Sequence, residues 1–122
     1  MSPPRSNASQ GMEETLKKAV MEMLVLLVLN EQDMHSTQII QTLESRSENR
    51  LNLTFPYALL YRLIDNGQIC EAYKKVAPDG RRRQYYQITE EGRRHLAALR
   101  TEYQRFSDSM EHLLKGGRQK DG

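Results

Sequence analysis

The chain has 122 residues, a length typical of one domain with a single modest core. Its 18 Lys and Arg residues against 16 Asp and Glu residues give a formal net charge of +2, which excludes a uniformly basic or acidic protein. The single cysteine, Cys70, excludes an internal disulfide, and no secretory leader opens the chain, so we expect a reducing, cytoplasmic location.

The first predicted helix follows a polar arm. Residues 1–11 are rich in Pro, Ser, Asn and Gly, a composition that predicts disorder. Residues 13–30 are good helix formers, with Glu13 and Glu14 expected in the first turn. The run 23–29 is wholly apolar but far shorter than the ~20 residues that cross a bilayer. It predicts a helix buried nearly all round, and no membrane partner.

A second helix is predicted after a short polar connection. Ser36 is a suitable N-cap, and the apolar residues Ile39, Ile40 and Leu43 follow at helical spacing. Beyond a polar segment, the alternation at residues 51–53 indicates a small strand.

The third predicted helix has two distinct faces. Thr54 is its expected N-cap, Pro56 is tolerated in its first turn, and Gly67 ends it. Helical periodicity assigns to the core face Leu60, Leu63 and Ile64. The same periodicity assigns to the opposite face Tyr57, Ala58, Tyr61, Arg62 and Asp65. The second face is free to contact a partner.

The segment APDGRRRQYYQITEEG, residues 77–92, predicts a hairpin tip. Pro78, Asp79 and Gly80 have the preferences of a tight turn, and strand-like composition flanks them at residues 69–76 and 81–88. Basic residues are concentrated there: within residues 69–86, five Lys and Arg minus Glu71 and Asp79 leave +3. A local excess of charge on a nearly neutral chain indicates a local anionic partner.

Strand alternation suggests how the arginines are directed. Tyr86 and Ile88 are expected to face the core, which points Arg81 and Arg83 the other way. Arg81 and Arg83 are therefore the stronger candidates for phosphate contact, and the orientation of Arg82 depends on the twist of the tip.

The element order favours a mainly α (α+β) fold, a winged helix-turn-helix followed by a long C-terminal helix. In this arrangement the third helix enters the major groove of DNA, and the hairpin, or wing, reaches the adjacent backbone. We therefore divide the chain into a disordered arm (1–11), a DNA-binding domain (12–89), a dimerisation helix (90–115) and a flexible tail (116–122).

Two stretches carry a family resemblance. LYRLIDNGQI, residues 60–69, and RRRQYYQITEEGRRHL, residues 81–96, are similar to the end of the recognition helix and the wing of the PadR family of bacterial transcriptional regulators. With the weaker match of the first helix and of HSTQI at residues 35–39, the resemblance covers roughly residues 20–114. It corresponds to the short form of the family, with a single C-terminal helix.

The resemblance implies specific DNA contacts. A tyrosine near the start of the family's recognition helix contacts DNA, and Tyr57 occupies that position here. Ser36 and Thr37 replace the family's Gly-Tyr, and residues 54–56 replace its Gly-Thr-Leu, so the DNA preference of this chain is expected to differ. With the basic hairpin, the predicted DNA-binding residues are Ser36, Thr37, Gln38, Thr54, Tyr57, Arg62, Lys74, Lys75, Arg81, Arg82 and Arg83.

The last predicted helix, capped by Thr89, carries an apolar stripe. Its members are separated by 3, 4, 3, 4 and 3 residues, as in a coiled coil: Leu96, Leu99, Tyr103, Phe106, Met110 and Leu113. The stripe either packs on the chain's own domain or forms a dimer interface. A helix of about 25 residues would extend ~37 Å, beyond a small winged domain, which favours the dimer. The resemblance likewise implies a homodimer formed through the first and last helices.

Other chemistry is weakly represented. His95 and His112 are 17 residues apart on one predicted helix and cannot chelate a metal together, and His35 is isolated. Cys70 is expected to pack as a small apolar residue. No phosphate loop, nucleophile elbow or zinc-protease motif occurs. We therefore expect no enzyme, no metal and no cofactor.

The sequence thus predicts a sequence-specific, DNA-binding transcriptional regulator, expected to be a repressor, that acts as a homodimer on a palindromic operator. The alternative is a winged-helix module for protein contact without DNA binding. The resemblance also allows a small aromatic effector, although the chain has no Trp to stack on one.

Overall fold

A computed structural model of the protein describes residues 8–50 and 57–119. In chain order the elements are α1 (Ala8–Leu29), β1 (Met34–His35), α2 (Ser36–Arg46), α3 (Tyr57–Asp65), β2 (Ile69–Val76), β3 (Arg82–Ile88) and α4 (Glu90–Gln119). The strands form one antiparallel sheet in the order β1-β3-β2. This order of helices and hairpin confirms the predicted mainly helical, winged fold.

Helix α1 begins earlier than predicted. It starts at Ala8, so residues 8–11 are helical rather than part of a disordered arm, and Glu13 and Glu14 lie beyond the first turn. Residues 1–7 lie outside the described part of the chain. The predicted burial is confirmed, because Val25, Leu26, Val28 and Leu29 are buried and their apolar neighbours are half-buried. Among the described residues, no helix is long and apolar enough to cross a membrane.

The start of α2 corrects two expectations. The N-cap is His35 rather than Ser36, and its Nδ1 accepts a hydrogen bond from the Gln38 backbone N–H at 3.2 Å. Met34 and His35 also form β1, which pairs with Tyr86 and Tyr85 of β3. The strand predicted at residues 51–53 lies outside the described residues.

Helix α3 has the two faces that its periodicity predicts. Leu60 and Leu63 are buried and Ile64 is half-buried, whereas the residues of the second face are exposed. Leu59 is also buried. The predicted cap and first turn at residues 54–56 lie outside the described residues, so the entry into α3 stays a prediction.

The hairpin forms with the predicted turn. Gly80 has φ +85°, and its N–H donates to the Ala77 carbonyl at 2.8 Å. Tyr85, one residue before the core residue Tyr86, is only 5% exposed. The register shifts between Glu71 and Tyr73, and the Tyr73 ring stacks on Tyr85 with 5.3 Å between ring centroids. Both faces of the sheet are therefore covered near its centre.

Helix α4 starts as predicted and ends later. Thr89 Oγ1 accepts from the Gly92 N–H at 3.0 Å and donates to the Gly67 carbonyl at 2.6 Å, which fastens the helix start to the end of α3. The helix continues to Gln119, beyond residue 115, where the dimerisation helix was predicted to end and a flexible tail to begin. Residues 120–122 lie outside the described residues.

One core joins these elements. Leu26 of α1, Ile39 of α2, Leu63 of α3, Ile69 of β2 and Leu96 of α4 are all buried in the same cluster. This shared core fixes α3 and the hairpin on one body, with their polar faces directed to solvent.

Candidate nucleic-acid interface

The start of α2, the exposed face of α3 and the hairpin meet on one surface. Ser36 Oγ lies 3.4 Å from the hydroxyl oxygen of Tyr57, which joins the starts of α2 and α3. Arg83 Nη1 donates to Thr37 Oγ1 at 3.4 Å, which joins the hairpin to α2. The structure therefore brings Ser36, Thr37 and Tyr57 together with the part of the wing next to its tip.

Two tyrosines stand on the outer face of α3. Tyr57 is 57% exposed and Tyr61, one turn later, is 60% exposed. A tyrosine offers both an apolar ring and a hydroxyl that donates or accepts, which suits contact with bases and phosphates. Tyr61 was not among the predicted DNA contacts, although its spacing of four residues from Tyr57 indicates the same face.

The wing presents exposed cations. Lys74, Arg81 and Arg82 are exposed near the tip, and Lys75 is exposed with its Nζ 4.8 Å from the centroid of the Tyr85 ring. A cation over an aromatic face is attracted by the ring quadrupole, so Lys75 is positioned over a fixed ring. These four residues give the wing its positive charge.

Arg83 differs from the other basic residues of the wing. It is half-buried, and its Nη2 donates to Asp79 Oδ2 at 2.6 Å. The hydrogen bond from Arg83 and the backbone N–H of Arg81 hold the pKa of Asp79 below its usual range, so this carboxylate is ionised in neutral solution. The predicted ranking of the arginines therefore changes: Arg82 is exposed, and Arg83 braces the turn against α2.

Arg62 lies apart from Tyr57. Five residues separate them, which is ~140° around the helix at ~100° per residue. Arg62 Nη2 donates to Glu22 Oε1 of α1 at 3.1 Å. The structure thus does not bring this predicted DNA contact together with the tyrosine face.

The remaining predicted contacts vary in accessibility. Ser36, Thr37 and Gln38 are half-buried at the start of α2. Within the described part of the chain, Gln38 Oε1 is buried without a hydrogen-bond partner. Thr54 lies outside the described residues.

His35 connects the helix start to the sheet. It is 7% exposed, and its ring meets the Tyr85 ring edge-on with 5.3 Å between centroids. Burial, with a smaller contribution from the Arg83 charge, lowers the pKa of His35 from the usual 6.5. The neutral imidazole is thereby favoured, and only an unprotonated Nδ1 can accept from Gln38.

We expect the free energy of unfolding to fall on acidification because of His35. Its pKa is lower in the folded than in the unfolded protein, so its contribution is complete above about pH 6.5 and is lost as the pH falls below that value. Loss of the cap on protonation costs about 1 kcal/mol. Urea unfolding between pH 7.5 and 5.5 measures the slope.

His35→Asn should flatten that slope, since asparagine caps helices without titrating, even though lost packing on Tyr85 lowers stability at every pH. His112, which is exposed on α4, supplies the control. The assignment to His35 is wrong if His112→Asn flattens the profile instead.

The predicted dimer stripe divides into two parts. Leu96, predicted in the dimer interface, is 4% exposed and packs in the chain's own core, and Leu99 packs partly against that core. Tyr103 and Phe106 are 48% and 58% exposed, and Leu113 is 74% exposed. Met110 is half-buried.

Further large apolar residues are exposed on α4 and α1. Leu114 is 74% exposed on α4, and Met12 and Leu16 are 64% and 50% exposed on α1. None of the three was predicted.

Other chemistry is sparse in the described ranges. Cys70 is a free thiol in β2, half-buried rather than fully packed. Within residues 8–50 and 57–119, no group of three or more His, Cys, Asp and Glu side chains is placed to hold a metal ion. A groove lies beside the wing, lined by residues that include Asp33, Lys75, Val76 and Tyr85.

A family model for PadR-like transcriptional regulators matches residues 25–98. The chain belongs to this family. The match runs from α1 to the first part of α4 and contains α2, α3 and the whole hairpin. Membership in the PadR-like family implies a DNA-binding regulator, and it confirms the resemblance seen in the two sequence stretches.

Solved structures of PadR-like proteins and related regulators share this fold. A PadR family transcriptional regulator from Eggerthella lenta has a TM-score of 0.72 at 23% identity, over 93% of this chain and 94% of that one. A transcriptional regulator from Streptococcus has a TM-score of 0.67 at 26% identity, over 80% of this chain and 95% of that one.

A curated relative is also similar. An uncharacterized protein of Lysinibacillus sphaericus is 26% identical over 98 residues, which are 79% of this chain and 89% of the relative. The likeness thus extends along most of both chains.

Proposed function

We propose that the protein binds double-stranded DNA in a sequence-specific manner, as a homodimer on a palindromic operator, and represses the adjacent gene. The observation that carries the proposal is the continuity of the tyrosine face of α3 with the cationic wing, through the contacts of Ser36 with Tyr57 and of Thr37 with Arg83. A protein-contact module would not require these two surfaces to adjoin.

The geometry suggests different roles in DNA binding for α3 and for the wing. The start of α3, with Tyr57 and Tyr61 exposed, is suited to the major groove, where base edges distinguish sequences. Lys74, Arg81 and Arg82 are suited to the neighbouring phosphates, which hold the protein in register but carry no sequence information. Repression would follow from occupation of promoter DNA.

Selection from a random DNA pool tests the proposal. The purified full chain is incubated with random duplexes, and the recovered sequences are tested by gel shift at two salt concentrations. We expect a palindrome whose half-sites are about one helical turn or a multiple apart. Recovery of no preferred sequence would leave the protein-contact module as the better reading.

Removing a wing cation should weaken binding to all DNA alike. We expect Arg81→Ala and Arg82→Ala each to reduce the slope of log affinity against log salt by about 0.9, because each loses one phosphate contact. Arg83→Ala is the internal comparison, since Arg83 is bonded to Asp79 and Thr37. A changed base preference with an unchanged slope would contradict the phosphate assignment.

Removing the Tyr57 side chain should act on specificity. Tyr57→Ala is expected to cost about 1 to 3 kcal/mol of affinity for the operator and much less for random DNA, since base contacts are lost. Its 57% exposure predicts an unchanged melting temperature. Equal losses on both DNAs would show that Tyr57 contacts the backbone only.

A further inference from the structure

A carboxylate joins three helices beside the recognition face. Glu22 of α1 uses Oε1 to accept from Arg62 of α3 at 3.1 Å, and its Oε2 lies 2.5 Å from Nε2 of His95 of α4. We propose that Glu22 is a positioning residue: it holds the rotation of α3 relative to α1 and α4, and so sets the spacing at which two recognition helices meet DNA. The proposal rests on the proposed function.

Packing decides which face of α3 meets the core but tolerates small rotations of the helix. This nine-residue helix rests on the core through Leu59, Leu60 and Leu63. Apolar contact is non-directional, so a small rotation that keeps these leucines buried costs little. A charged hydrogen bond has a preferred geometry, and Arg62 makes one to α1 from the exposed side of α3 that faces away from Tyr57.

The rotation of α3 about its axis matters because it sets the direction of Tyr57 and Tyr61. Tyr57 and Tyr61 share one stripe of the helix, ~40° apart around its axis. A rotation that breaks the Arg62 contact would turn both rings with it. Specific contacts require close geometry, whereas attraction to phosphates does not.

The same carboxylate also reaches the proposed dimer helices. Glu22 and His95 belong to α1 and α4, which carry the exposed apolar residues of the proposed interface, including Leu16 and Phe106. The contacts of Glu22 with Arg62 and His95 therefore hold α3 in a defined position relative to the proposed subunit interface. In a dimer, these contacts in both subunits would fix the distance between the two recognition helices.

The ion pair between Glu22 and Arg62 is suited to positioning α3 rather than to stabilising the fold. The Arg62 and Glu22 side chains are 57% and 25% exposed, and a pair this accessible contributes little to the free energy of unfolding. An effect of Glu22 on operator binding should thus appear without a comparable effect on melting temperature.

The experiment compares Glu22→Gln with wild type on three fluorescent duplexes: the selected operator, one half-site, and the operator with one base pair inserted at its centre. We expect operator affinity to fall about 10-fold, half-site affinity to change less than about 2-fold, and the penalty for the inserted base pair to shrink. Sedimentation should show the same oligomeric state as wild type.

Glu31→Gln is the matched control. It removes a carboxylate that also pairs with an arginine, Arg46 of α2 at 2.6 Å, and it changes the net charge equally, but its partner is not on α3. It should bind all three duplexes like wild type. In the Arg62→Ala background, Glu22→Gln should lower operator affinity no further, because α3 is then no longer bonded to Glu22.

Several results would overturn the proposal. If Arg62 were a phosphate contact held back by Glu22, Glu22→Gln would raise affinity for operator and random DNA alike and steepen the salt slope by about 0.9. The positioning role would also be excluded if Glu22→Gln bound the operator as tightly as wild type does, or if Glu22→Gln were monomeric. Absence of any operator for wild type would instead overturn the proposed function, and this role with it.

Discussion

Replacing Gly92 by alanine is expected to destabilise the protein by about 3 kcal/mol, at the upper end for overpacking. A Cβ at this position would lie 2.0 Å from the Gln68 carbonyl oxygen and 2.7 Å from Ile88 Cγ1. The first neighbour is backbone, and it already accepts from the Thr89 N–H at 3.0 Å. Relief therefore requires α4 to move away from the end of α3.

Gly116→Ala is the control for Gly92→Ala. Gly116 also lies within α4, but within the described part of the chain no atom beyond the helix's own backbone and the adjacent residues stands within 4 Å of a Cβ built there. Alanine should stabilise that turn by up to about 1 kcal/mol because of its higher helix propensity. Urea unfolding of both variants measures the two effects. Near-wild-type stability of Gly92→Ala would contradict the prediction and show that α4 can move away from Gln68 at little cost.

Local patterns predicted the elements whose causes are local. The faces of α3 follow from the 3.6-residue period of its leucines, and the wing turn follows from the backbone preferences of Pro78, Asp79 and Gly80. The start of α4 follows from Thr89, a suitable cap three residues before the N–H that it accepts from. None of these requires knowledge of a distant partner.

Elements with distant causes were missed. Strand β1 has only two residues, too few for an alternating pattern, and it exists because Tyr85 and Tyr86 of β3 lie beside it. The cap of α2 moved from Ser36 to His35 for a related reason, since His35 is held in extended backbone by that pairing. The sequence around residue 35 carries no sign of either.

The residue types of the candidate site could be predicted from the sequence, but the hydrogen-bond partners of its arginines could not. Tyr57 was named from the family resemblance and from its face of α3, and the wing cations were named from the charge of the hairpin. All of them are exposed except Arg83, which is half-buried. Arg83 is bonded to a residue 46 positions away and Arg62 to one 40 positions away. Which arginines stay available for phosphate depends on these long-range contacts, which charge patterning cannot supply.

Phe106→Asp is expected to convert the proposed dimer into a monomer and to lower operator affinity by at least ~100-fold, because a dimer gains from engaging a second half-site. Phe106 is 58% exposed and lies beyond Leu99, where α4 leaves its own domain's core. In a twofold interface the new charge faces apolar neighbours in both subunits, so one substitution acts twice.

The exposure of Phe106 makes the experiment interpretable. A surface substitution of this kind leaves the fold of a monomer nearly unchanged, so far-ultraviolet circular dichroism should match wild type. Thr101→Asp is the matched control, since it introduces the same charge at an exposed position ~140° around α4 from Phe106. It should leave both the dimer and DNA binding intact.

Light scattering and half-site titrations together test whether dimerisation is the source of the operator affinity. Monomeric Phe106→Asp should bind one half-site as wild type does, because Tyr57 and the wing are untouched, and should lose only the gain from the tethered second subunit. A wild type that is already monomeric at micromolar concentration would remove the proposed dimer. A monomeric variant with wild-type operator affinity would show instead that each subunit reads DNA alone.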